Sequence, residues 1–225
     1  GATVSELFRS MRVEQGNVPP EVRDALNNIV KYGNPYGGPK PKKDQWVTDL
    51  GMNRKHATVE TILYVGSTVP YEERATRAAE AIIDVFKKAQ LDFGMIGSEE
   101  LDSGAFPRMM GEEGLFAEMV DHNLKTFKEH GVKKIICFSP HDYDTFKNYY
   151  PLRGAIEIKH YTEELWELIE SGTLQCAGEF ERRITYHDPC YLGRRNDIYD
   201  APRKILQSIP KLEFVEMKFA RERAH

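Results

Sequence analysis

The sequence predicts a parallel α/β protein, preceded by a helical segment. Three observations carry this. From Val59 onward, short runs rich in β-branched and aromatic residues alternate with amphipathic stretches long enough to cross over a sheet. The run Lys133 to Phe138 is almost continuously apolar, as a strand buried on both faces must be. Each candidate strand ends in a turn rich in Gly, Ser, Pro or Asp, the place where such sheets collect functional groups. Four turns qualify: Gly66-Ser67, Leu101 to Gly104, Ser139 to Asp142, and Asp188 to Gly193.

In chain order, residues 6–16 carry Leu7, Phe8, Met11 and Val13 in a short helical pattern, closed by Gly16-Asn17. Pro19-Pro20-Glu21 opens a second helix with Val22, Leu26, Ile29 and Val30 on one face. Residues 33–45 read as an extended, Gly/Pro/Lys-rich surface arm, with Trp46 and Leu50 anchoring its far end. Val59 to Val65 is the first strand. Glu72 to Ala89 is a helix with Ala75, Ala78, Ala79, Ile82, Ile83 and Phe86 inward. Leu91 to Ile96 is a second strand, and residues 97–108 are a loop. Glu112 to His130 is an amphipathic helix stopped by Gly131. The Lys133 to Phe138 strand turns through Ser139-Pro140-His141 into a helix that reaches Tyr150. Ile156 to His160 is a strand, and Thr162, as cap, opens a helix to Glu170. Arg183 to His187 is a strand, Ala201 to Ile209 a helix, and Leu212 to Met217 the last strand.

Composition narrows the function classes. The 225 residues carry a net charge of −4, which gives no global pull toward nucleic acid or an anionic membrane. No apolar run approaches the roughly 20 residues of a membrane span, and Gly1 to Ser5 does not read as a signal peptide. Cys137, Cys176 and Cys190 are too few and too scattered for a disulfide framework, so a reducing, cytoplasmic compartment is expected. There is no GxGxxG or phosphate loop.

Two stretches echo each other. Ile62-Leu63-Tyr64 leads to Ser67, a helix, then Leu91-Asp92-Phe93; Ile184-Thr185-Tyr186 leads to Cys190, a helix, then Leu212-Glu213-Phe214. Either any two β-α-β units look alike, or a domain has been duplicated. In the second stretch a proline-fixed turn, His187-Asp188-Pro189-Cys190, presents one cysteine at a strand end, where a thiolate can act as nucleophile or metal ligand.

At these turns the chain resembles the cysteine-rich "CCG" domain family of iron–sulfur oxidoreductases. That family includes the B- and D-type subunits of heterodisulfide reductase, the iron–sulfur subunits of glycolate oxidase and glycerol-3-phosphate dehydrogenase, and the sulfite-reduction-associated protein DsrK. The likeness runs from about Glu14 to His225. The family pattern is a lone Cys after a strand, then Cys-Cys-Gly, then a Cys-Pro-x-Cys-like turn, in two copies that bind clusters through thiolates. The resemblance implies two pseudo-repeated CCG domains: residues 1–58 a helical segment and linker, 59–180 a first domain, and 181–225 the start of a second, incomplete one.

By that correspondence the first copy has lost its ligands. Ser67 stands at the lone Cys, Asp102-Ser103-Gly104 at Cys-Cys-Gly, and Ser139-Pro140-His141-Asp142-Tyr143 at the last turn. Oxygen donors do not replace soft thiolates. Cys137 reads as a core thiol and Cys176 lies outside the motif. Asp102 with Asp142 could hold a hard cation, but solvated acids are the commoner case. The second copy begins intact at Tyr186 to Arg194, so Cys190 is the expected ligand of a [4Fe–4S]-type cluster. Its remaining cysteines would follow His225 in a longer parent.

The resemblance implies an electron-transferring subunit that reduces a disulfide-like substrate, such as a heterodisulfide or protein-bound sulfur. His187 is the candidate proton donor, and Arg194 is the candidate group for an anion or thiolate, with Arg195 beside it. His141 is a second histidine near a strand end; bonding to its own loop is the alternative role for both. Expected partners are redox subunits (ferredoxin-like, flavin, or a membrane quinone/haem subunit) and a small carrier protein as substrate, with no nucleic acid. The expected location is cytoplasmic, or peripheral to a membrane through a partner. A single intact site points to the DsrK type. The competing reading is a non-catalytic docking module, in which the first copy braces the second.

Overall fold

The computed structural model describes residues 2–54 and 56–223. It is mixed α/β with a helical amino-terminal segment. Helices α1 (Ala2–Glu14), α2 (Pro20–Tyr32) and α3 (Lys40–Asp49) precede strand β1 (Thr61–Tyr64). Then come α4 (Glu73–Lys88), α5 (Ala105–Met110), α6 (Glu113–His130), β2 (Lys134–Cys137), α7 (Pro140–Tyr149), β3 (Glu157–His160) and α8 (Tyr161–Glu170). Strand β4 (Arg182–Ile184), α9 (Gly193–Asn196), α10 (Asp200–Gln207) and β5 (Leu212–Phe214) complete the order.

The central sheet runs β1-β2-β3, all parallel, with Ile62, Ile135 and Ile158 in register. Ile135, Ile136 and Cys137 are fully buried, as the apolar run of β2 requires. One core layer packs Phe127, Tyr143, Phe146 and Tyr150 under the sheet; the other packs Val47, Ile83, Phe86 and Met95 over it. Strands β4 and β5 form a separate parallel pair. Leu192, just past β4, inserts into the first of these layers, so the two units share core. A duplicated domain is compatible with this: β1 pairs in parallel with the Gly94 segment after α4, and β4 pairs in parallel with β5 after α10.

Several expectations are corrected. The arm expected over 33–45 winds into α3 from Lys40: Pro39 caps it, and Pro41 sits in the first turn, where its missing N–H is harmless. Trp46 and Leu50 do pack against the core, and the Trp46 indole donates to Glu80 at 2.9 Å. Residues 91–96 make bridges and no strand. Their hydrogen bonds are divided between β1, through Gly94, and the 52–54 segment, through Met95. The expected loop 97–108 contains α5. Ala78 faces solvent. The cap of α8 is His160, whose ring accepts from the Thr162 amide while Glu163 accepts from the His160 amide at 3.0 Å. On α2, Val30 points outward although Leu26 and Ile29 are buried. On α1, Leu7, Phe8 and Met11 are exposed. That helix is held instead by Glu6, whose carboxylate accepts from Arg108 at 3.1 Å and from Arg195 at 3.2 Å.

Lys43 of α3 is buried and donates to Glu100 at 2.5 Å and to the Gly66 carbonyl at 3.1 Å. Burial pushes the Glu100 carboxyl upward even with that partner, so desolvation outweighs the attraction. Removing the amine leaves a buried carboxyl with no compensating charge. Lys43→Ala is expected to lower unfolding free energy by about 3 kcal/mol in urea denaturation, whereas Lys42→Ala, on an exposed position of the same helix, stays within about 0.5 kcal/mol of the parent.

Candidate functional site

The carboxyl ends of β1 and β2, and the segment between residues 97 and 104, bring four oxygen-bearing side chains together. The Ser67 hydroxyl donates to Asp102 Oδ2, and the Gly104 amide donates to Asp102 Oδ1 at 2.8 Å. The Ser103 hydroxyl donates to Asp142 Oδ1 at 2.5 Å. Asn123 and Tyr150 brace the backbone behind them: Asn123 donates to the Asp102 carbonyl at 3.1 Å, and the Tyr150 hydroxyl to the Ser103 carbonyl at 2.9 Å. Gly66 is required here. Its φ is +74°, and a Cβ would lie 2.7 Å from Asp142 Oδ2.

All four side chains are buried. Asp102 is pushed up by burial. Asp142 is raised to about 7, by burial first and then by the charge of Asp102. The acids expected to be solvated are therefore an enclosed cluster. Ser139, at the head of the last turn, is directed elsewhere: it caps α7 by accepting from the His141 amide at 3.2 Å. The residues that the resemblance singled out as emptied ligand positions thus do converge, all but Ser139.

The second turn is built differently. The Asp188 carboxylate accepts two bonds from the Arg203 guanidinium, at 2.7 and 2.8 Å, and one from the Arg221 amide at 2.8 Å. Arg203 also donates to Glu216 at 2.6 Å and to the Tyr199 carbonyl at 2.8 Å. Burial pushes Asp188 upward, but these donors outweigh it and hold the carboxyl below its ordinary range. Next, the Pro189 carbonyl accepts from the amides of Leu192 and Gly193, at 3.0 and 2.9 Å, which coils the chain into α9. Gly193 lets this coil close, because a Cβ there would meet the Tyr199 ring at 2.5 Å. Cys190 sits on the outside of the coil, exposed.

The two turns are neighbours. The Tyr191 ring lies 4.1 Å from His141, centroid to centroid. Asn196 donates to Asp144 of α7 at 2.9 Å. Arg195 donates to Asp144 at 3.0 Å and to Glu6, and it covers the Tyr191 ring at 4.7 Å. It is committed to structure and is not open to an anion. Arg194 and His187 are exposed on the same stretch as Cys190. His141 is driven toward its neutral form by burial. Cys137 is a buried strand thiol, pushed well up by burial, and Cys176 lies by Ser208 at 3.5 Å, away from both turns.

Sequence reasoning missed Arg203 and Lys43. Pro202 and Arg203 are the buried residues of α10, and Tyr199, which precedes it, is buried too. A charge at such a position is itself the signal, since arginine is almost never buried without a partner.

The donor chemistry decides what each turn can hold. Ser67, Asp102, Ser103 and Asp142 are hard oxygen donors already bonded to one another, and they do not fit an iron–sulfur cluster. Cys190, exposed on a fixed turn, fits as one thiolate ligand. Among the described residues no group of three His, Cys, Asp or Glu side chains is arranged to hold a metal ion.

Fold and site together define a parallel α/β protein in which one strand-end turn has closed on oxygen and its counterpart displays a thiol. Comparison with known proteins finds one family model: residues 184–225 match the cysteine-rich (CCG) domain. The chain is 34% identical, over 97% of its length, to a Bacillus subtilis protein named "Probable iron-sulfur-binding oxidoreductase FadF". It is also 34% identical, over 97% of its length, to the EtfAB:quinone oxidoreductase of Syntrophomonas wolfei. The D-type subunit of the dihydromethanophenazine:CoB–CoM heterodisulfide reductase of Methanosarcina mazei is 29% identical over 99% of the chain. The chain spans 32% of the length of each of the first two relatives and 56% of the third. No solved structure matches it.

Asp142 gives the oxygen cluster a pH signature. Its folded pKa, about 7, lies above the unfolded value of about 4. The folded state therefore holds a proton that the unfolded state releases, and stability falls as pH rises from about 4 through 7. Asp142→Asn is expected to flatten that slope in denaturation midpoints measured from pH 5 to pH 8.

Proposed function

We propose that the chain is part of an iron–sulfur subunit of an electron-transferring oxidoreductase complex, with Cys190 as one cluster ligand and the other thiolates supplied by residues outside those described. The observation that carries this reading is the contrast between the turns. One has its polar groups bonded to each other, and the other spends Asp188, Leu192 and Gly193 on fixing the backbone and leaves the Cys190 thiol facing out.

When bound, a [4Fe–4S]-type cluster supplies one-electron transfer; everything else falls to the chain. For a disulfide-like substrate, cleavage takes two electrons and two protons and yields two thiols. His187 is the candidate proton donor and Arg194 the candidate partner for the developing thiolate, since both are exposed beside Cys190. A second reading has support from identity: the relative named for EtfAB and quinone stands at 34%, the heterodisulfide reductase relative at 29%. In that reading the same cluster relays electrons between a flavoprotein and a quinone-linked partner, and no sulfur substrate is cleaved. Either way the partners are redox subunits. Among the described residues no helix is long and apolar enough to cross a membrane. The docking-module alternative predicts no dependence of iron content on Cys190.

Iron and sulfide analysis of the full-length protein tests the proposal. Cys190→Ser is expected to remove about one cluster's iron and sulfide and to abolish activity, whereas Cys176→Ser keeps both. Unchanged iron in Cys190→Ser contradicts it.

A further inference from the structure

Over the oxygen cluster, at the carboxyl ends of β1 and β2, lies a cavity of about 690 Å³. Small-molecule sites span roughly 300–1,000 Å³. Its walls are apolar, built by Val65, Val69, Phe106, Met109 and Phe138, and its floor holds Ser67, Asp102 and Asp142.

The floor is bonded except at one point. Both oxygens of Asp102 have donors. Asp142 accepts from Ser103 through Oδ1. Among the described residues nothing donates to its Oδ2, although the residue is only 8% exposed and lines the cavity. Asp142 lines the cavity, so a ligand seated there can donate to that oxygen.

Charge points the same way. Three buried carboxyls, Glu100, Asp102 and Asp142, face a single buried amine, Lys43, whose ammonium is already engaged by Glu100 and the Gly66 carbonyl. His141 in the wall is kept toward its neutral form by burial and adds no balancing charge. With all three carboxyls ionised, the site carries two negative charges that Lys43 does not balance. A bare divalent ion suits it poorly, because hard cations ask for about six oxygen ligands and most of these oxygens are already engaged under an apolar roof.

We propose that this cavity binds a small organic cation: an amine or amidine head that donates to Asp142 Oδ2, on an aromatic or branched aliphatic body that packs against Phe106, Met109 and Phe138. Cys190 is not among the residues that line it.

Calorimetric titration of the full-length protein at pH 8 tests it, with phenethylamine as probe and phenylacetate, its anionic counterpart in shape, as control. Saturable binding of phenethylamine and none of phenylacetate is expected. Asp142→Asn should weaken binding by about tenfold or more, the loss of one charge-assisted hydrogen bond. Met109→Trp, which enlarges a half-buried residue of the cavity wall, should abolish it, and circular dichroism establishes that each variant is folded. Absence of binding to the parent protein overturns the proposal, as does equal binding of phenylacetate or an affinity unchanged in both variants.

Discussion

The grip of Arg203 on Asp188 is the constraint on which the candidate site depends. One guanidinium joins the turn after β4, the carbonyl of Tyr199 at the start of α10, and Glu216 beyond β5. A bidentate pair of this kind fixes orientation as well as distance. With Asp188 held, Pro189 sets the direction of the coil, Leu192 is driven into the core, and Cys190 is left on the outer side. Breaking a buried pair by removing one partner costs about 3–5 kcal/mol, so the geometry of the thiol and the stability of the second unit rest on the same contact.

The two strand-end turns show one scaffold used in two ways. Thiolates gathered at a strand end need a metal to offset their charge. At the turn built of Ser and Asp the groups offset one another: each serine donates to an aspartate. The result is a closed floor with one oxygen left over, beneath a cavity with apolar walls. Lys43, carried in on α3, supplies a buried positive charge beside these carboxyls, which ties the helical segment to the chemistry of the sheet.

Much of the fold was legible in the sequence, because the strands β1 to β3 and the helices α4, α6 and α7 are long enough to show their period. The failures share a cause: local pattern was overridden by tertiary partners. The Pro- and Lys-rich run 33–45 looks polar and extended, yet Lys43 has a buried carboxylate waiting for it. Residues 91–96 have strand composition but two different neighbours, and so never form a ladder. The apolar stripe on α1 faces out because Glu6 is what the rest of the molecule holds. At the site, the convergence of Ser67, Asp102, Ser103 and Asp142 was implied by the family pattern. Arg203 was not, since its partner lies fifteen positions earlier, at Asp188, across a coil.

The central claim is that Cys190 is the thiol this scaffold displays for a metal centre, while Cys137 is core and Cys176 is incidental. Site-by-site alkylation of the full-length protein, read by mass spectrometry before and after chelation strips its iron, tests that most directly. Cys190 is predicted to be protected in the iron-loaded protein and to react readily once stripped, while Cys176 reacts alike in both states and Cys137 stays unmodified until unfolding. Equal labelling of Cys190 in the loaded and stripped protein would contradict the account.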